Sequence, residues 1–172
     1  MNLDASSLQS QIALAVNKAK QVKEQEFVRM VSKKVEDAFQ SAENRFHSSP
    51  SYITNYDPLE EVEFLNNLGI MFVTTEKRTD SKDFNVIFNF QDVSANPTSE
   101  YGKTLQALAI SLSNKLMDYF FHPVIAGLES GKTKFVFKHP VPKFILTLLR
   151  TPVSYPEFKE IGGEYHLIIG IQ

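Results

Sequence analysis

The sequence predicts an α+β domain with a long N-terminal helix, and three observations carry that expectation. Residues 5–46 contain neither Pro nor Gly, a run suited to one extended helix. Residues 98–128 form a strongly apolar helical pattern, with Leu105, Leu108, Leu112, Leu116 and Phe120 at spacings of three and four. Strand-like alternation flanks that helix on both sides, at 70–90 and 132–171. With few short crossovers available, the expected sheet is mostly antiparallel, has about five strands and is covered by helices on one face.

Length and composition bound the answer. A chain of 172 residues suits one domain with an appended helix and is long enough to bury a real core. Hydrophobic residues at 42% and charged residues at 22% argue against wholesale disorder. The absence of Cys excludes disulfides, thiolate catalysis and Cys-ligated zinc or iron–sulfur sites. It fits a reducing compartment, and equally a particle exposed to the outside without disulfides. Met1-Asn2-Leu3-Asp4 lacks the basic start and apolar run of a signal peptide. No window of ~18 uninterrupted apolar residues predicts a membrane span.

A net charge of −2 exerts no general pull toward nucleic acid. Its distribution says more. Lys and Arg number seven against six acids in residues 1–46, five against eleven in 47–130, and six against three in 131–172. An acidic middle and a basic end are what solvated surfaces show. They also suit complementary faces in self-association.

Within the first helix, Leu8, Ile12, Ala15, Ala19 and Val22 form a small, regular stripe. A richer stripe follows at Phe27, Val31, Val35, Ala38, Ala42 and Phe46. The expected division is a helical arm at residues 1–22 and a single α+β domain at 23–172, with residues 23–46 docked on it. The first stripe marks the arm as a self-association surface. Residues 47–57 read as a linker around Pro50, pinned by Tyr52, Ile53 and Tyr56.

Asp57-Pro58-Leu59-Glu60 predicts a capped helix start, with Asp57 as N-cap and Pro58 as first residue. Leu59, Val62, Leu65 and Leu68 should share its buried face, and Gly69 should stop it. Asp57, Glu60, Glu61 and Glu63 suit a first turn, where acids offset the helix dipole. They also make one half of a charged interface. Strands at 70–76 and 83–90 should follow, joined by a polar turn at 77–82, with Phe84, Val86, Phe88 and Phe90 lying over the central helix.

Asn96-Pro97 precedes that helix, and Thr98 or Ser99 can cap it. Ile110, Met117 and Phe121 widen its apolar face, and Pro123 should kink or end it. The remaining strands are expected at 132–138, at Phe144–Arg150 and at Glu164–Ile171, with a Pro-containing loop around Tyr155-Pro156 and a turn at Gly162-Gly163. In the first of these, Lys132, Lys134 and Lys138 alternate with Phe135 and Phe137. The lysines are the other half of the charged interface. Stacking on nucleic acid needs aromatics and cations on one face, and this period separates them. Lysines on an edge strand also deter unwanted pairing. Nucleic acid is therefore not the favoured partner.

No reaction chemistry emerges. Gly131-Lys132-Thr133 looks like the end of a phosphate-binding loop, but Gly127 stands too close and the segment follows a helix and opens a strand. His47, His122, His139 and His166 show no metal-ligand spacing. No GxSxG elbow appears. No catalytic residue, metal or cofactor is expected.

The order of elements resembles that of small ring-forming subunits of tailed-phage tails and necks, the tail-terminator and head–tail joining proteins. The likeness rests on the helix at 5–46, the hairpin at 70–90, the helix at 98–121 and the strands at 132–171, so it spans most of the chain. It implies a non-enzymatic subunit of a homo-oligomeric ring that stacks on other structural proteins of a virion. The alternatives are a small regulatory or inhibitor protein and a nucleic-acid accessory protein, both cytoplasmic.

Overall fold

The computed structural model describes residues 4–68, 73–89 and 100–172. The expected cap at Thr98 or Ser99, the stop at Gly69 and the contribution of Phe90 lie outside them. The chain divides into two compact units, one reaching to Val35 and the other Glu36–Gln172. The division falls inside helix α1 (Ala5–Asn44), which is continuous. In the first unit every described residue up to Glu26 is exposed, and Val31 and Val35 are buried.

The second unit is α+β, as expected. Its strands form two three-stranded antiparallel sheets among the described residues, which corrects the expectation of one sheet of about five. The first sheet has the order β1 (Ser51–Thr54), β3 (Phe84–Phe88), β2 (Val73–Lys77). Strand β1 lies in the segment expected to be a linker. The polar turn between β2 and β3 closes with Arg78 N–H donating to Asp83 O at 3.0 Å. On the inner face Val86 and Phe88 are buried, and Phe88 packs on Phe39 of α1 at a ring separation of 5.6 Å.

Helix α2 (Leu59–Asn67) starts one residue later than expected. Pro58 holds the N-cap position without a side-chain cap bond, and its carbonyl accepts from Val62 N–H at 3.0 Å. Asp57 therefore precedes the cap. The buried face is also rotated: Leu59 is 58% exposed, while Glu61 and Leu65 are buried.

The central helix runs as α3 (Glu100–Leu116), a π-helical segment (Met117–Phe121) and α4 (His122–Glu129). Its buried stripe is Gly102, Leu105, Ala109, Leu112, Leu116, Phe120 and Val124. Ile110, expected to widen this face, is exposed. Pro123 does not end the helix. It sits in the first turn of α4, and His122 N–H reaches back to Met117 O. That wider turn accommodates a ring that lacks a donor and would clash in a regular helix.

The second sheet has the order β4 (Lys134–Phe137), β6 (Glu164–Ile171), β5 (Ser154–Ile161). Phe135 and Phe137 point inward, and Phe137 meets Phe120 at 5.1 Å. The expected strand Phe144–Arg150 is instead helix α5 (Lys143–Leu149). A short apolar run fits either state, and here Ile145 and Leu149 are buried one turn apart. The expected loop around Tyr155-Pro156 is β5. Its Pro156 is tolerated because β5 is an edge strand, where one missing donor costs little. Gly162 and Gly163 both have positive φ, as a two-residue hairpin of type I′ requires.

Candidate interaction surface

The arm leaves a run of large apolar side chains uncovered. Leu8, Ile12, Ala15, Ala19 and Val22 are all exposed, Ile12 at 63%. Leu14 and Val16 are exposed beside them. At about 100° per residue, this stripe points roughly 160° away from Val31 and Val35 of the same helix. Lys18, Lys20 and Lys23 lie among these residues, and all three are exposed.

The β1–α2 corner, residues 53–63, also exposes apolar side chains, here among acids. Ile53, Tyr56 and Leu59 are exposed large apolar side chains, and Asp57, Glu60 and Glu63 are exposed around them. Glu61 differs from its three acidic neighbours: it is 1% exposed and cannot be part of a charged surface. Tyr52 Oη donates to Glu61 Oε2 at 2.7 Å, and Tyr56 Oη donates to Glu61 Oε1. A buried carboxylate is tolerated only with such donors. Burial above all, and then the bond to Glu61 and its charge, hold the Tyr52 phenol protonated far above its ordinary range. Thr54 Oγ1 donates to Tyr56 O at 2.6 Å, so both ends of Tyr56 are fixed. The sequence reading has Tyr52 and Tyr56 pinning the linker and Glu61 among four first-turn acids, without joining the three. The signal was an acid four residues before Leu65, on the face that a helix buries.

Lys132, Lys134 and Lys138 are exposed, whereas Phe135 and Phe137 are buried. Lys132 lies over the Phe135 ring at 5.0 Å. Pairing places Lys134, Ile168 and Glu157 in one row across the sheet, so an acid shares the lysine face. Gly131-Lys132-Thr133 is a helix terminus. Lys132 N–H donates to Gly127 O at 2.8 Å and Gly131, at φ 83°, donates to Leu128 O at 3.0 Å, the Schellman pattern.

Two histidines distant in sequence do converge. His47 and His139 line a cleft of about 470 Å³ together with Arg45, Phe46 and Tyr165. Phe46 adopts a left-handed φ of 52° at the end of α1, where His47 N–H donates to Ala42 O at 2.8 Å. Its ring packs on Tyr119 at 4.1 Å and His139 at 4.9 Å. Those contacts offset the cost of left-handed backbone without Gly, ~1–2 kcal/mol. A cation such as Arg45 suits the negative end of a long helix, so the cleft has a structural explanation.

Among the described residues, no group of three or more metal-ligating side chains comes together, and no helix is long and apolar enough to cross a membrane. No family model, curated protein or solved structure matches the chain.

Proposed function

We propose that this protein is a non-enzymatic structural subunit of a homo-oligomeric assembly, with the N-terminal arm as a contact between subunits. The observation that carries the reading is the exposure of Leu8, Ile12, Leu14, Val16 and Val22 on a helix that continues to Asn44. Up to Glu26 that helix buries no side chain within its own chain. Most helical stability comes from packing an apolar face, so this surface calls for a partner.

The resemblance to tail-terminator and head–tail joining subunits, carried by the long helices and the hairpin and not by the stretch that forms α5, suggests a ring of a phage tail or neck, stacked on other virion proteins. Negative-stain electron microscopy of the purified chain tests this. Closed rings of uniform diameter are expected. Monodisperse particles of monomer size at micromolar concentration refute the assembly. Open filaments refute the ring.

A further inference from the structure

We infer that the arm of one copy docks on the β1–α2 corner of a neighbouring copy, joining subunits head to tail. This rests on the homo-oligomer reading above and names the two surfaces it uses.

Charge is segregated along the chain to a degree that fits this contact. Residues 5–23 contain Lys18, Lys20 and Lys23 and no Asp or Glu. Residues 46–76 contain Asp57, Glu60, Glu61, Glu63 and Glu76 and no Lys or Arg. Glu61 is consumed internally by Tyr52 and Tyr56, and the other four acids are exposed. Strand register places Ile53, Asn85 and Glu76 in one row on the same face of the sheet. The corner therefore offers apolar Ile53, Tyr56 and Leu59 within an acidic rim. The arm offers Leu8, Ile12, Ala15, Ala19 and Val22 with a basic rim. An apolar centre with rims of opposite sign is how specific surfaces recognise each other.

Pairing of arm with arm satisfies this chemistry less well. In a parallel pairing of arms, Lys18, Lys20 and Lys23 of the two copies come together, and like charges across an interface are repulsive. The corner is also preorganised, since Tyr56 is held by Glu61 at its hydroxyl and by Thr54 at its carbonyl. A contact between two different patches is heterologous, and it closes into a ring when the rotation per subunit allows.

The chain has no Cys, so cross-linking can be read without background. Full-length Ala15→Cys and Leu59→Cys proteins are prepared separately, distinguished by an affinity tag, and treated with a short bis-maleimide alone and after mixing. The expected result is a cross-linked pair only in the mixture, containing one copy of each protein. In parallel, Lys18→Glu/Lys20→Glu/Lys23→Glu should weaken association by about tenfold or more, the scale of losing close interfacial charge pairs. Mixing it with Glu60→Lys/Glu63→Lys should restore association. Cross-linking of Ala15→Cys with itself, or an oligomer in which no combination cross-links, overturns this inference and leaves the homo-oligomer standing. A monomeric wild-type chain overturns both.

Discussion

Replacing Tyr52 with Phe removes one hydroxyl from Glu61 and keeps the ring that faces Phe88 at 6.2 Å. The bond lost is 2.7 Å long and goes to a carboxylate whose residue is 1% exposed. Hydrogen bonds to charged groups contribute ~1.5–3 kcal/mol, so Tyr52→Phe should lose about that much stability at neutral pH. In thermal unfolding, each kcal/mol corresponds to about 2–4 °C for a chain of this size. The difference should also depend on pH. The folded chain keeps the Tyr52 proton above the ordinary value of 10.0, where the unfolded chain releases it. That contribution is fully present below pH 10 and is lost as pH rises, at ~1.4 kcal/mol per pH unit for one proton. Urea unfolding followed by circular dichroism at pH 7, 9 and 11 reads both effects. The advantage of wild type over Tyr52→Phe should be constant from pH 7 to 9 and shrink by pH 11. Equal stability at pH 7, or an advantage that grows at pH 11, refutes the account of this cluster.

Four further outcomes are expected. Leu112→Ala or Leu116→Ala should cost ~2–5 kcal/mol in chemical denaturation, because both side chains are buried in the central stripe. Gly127→Ala should destabilise by ~1–3 kcal/mol, since an added Cβ meets the Phe135 ring. Lys132→Ala should leave calorimetry with ATP unchanged, because the Gly131 turn caps a helix and cradles no phosphate; micromolar binding abolished by the change contradicts this. Deleting residues 1–22 should leave the melting transition of the domain in place while abolishing self-association in sedimentation. A truncated chain that unfolds places the arm in the core.

The helices were legible where their apolar period was long. The stripe of the central helix and the uninterrupted run of α1 both rest on many residues, so single exceptions such as Ile110 do not disturb them. Short apolar runs carried less information. Phe144–Leu149 satisfies strand and helix patterns alike, and tertiary contacts of Ile145 and Leu149 decided for helix. Pro156 hid strand β5 because proline argues against a strand interior, and edge position is visible only in the assembled sheet. Phe46 follows α1 in a conformation normally signalled by Gly, and the end of the helix was legible from the Ser- and Pro-containing stretch after it and not from a Gly stop. The split into two sheets was hidden because alternation shows which face a strand buries and not which strand it pairs with.

The two surfaces of the proposed contact were legible to different degrees. The arm stripe, the lysines and the acids of α2 follow from spacing and charge alone. The apolar half of the corner does not. Leu59 reads as buried by period, and it is exposed because Glu61 takes the inner position in its place. That exchange depends on two tyrosine hydroxyls reaching one carboxylate, a tertiary arrangement with no local signature.

The central claim is that this chain assembles with copies of itself, and native mass spectrometry of the full-length protein at micromolar concentration tests it most directly. A single chain has a mass of 19.5 kDa. The account predicts one dominant species at an integer multiple of that mass, stable on dilution. A spectrum containing only the single-chain mass at every concentration contradicts it.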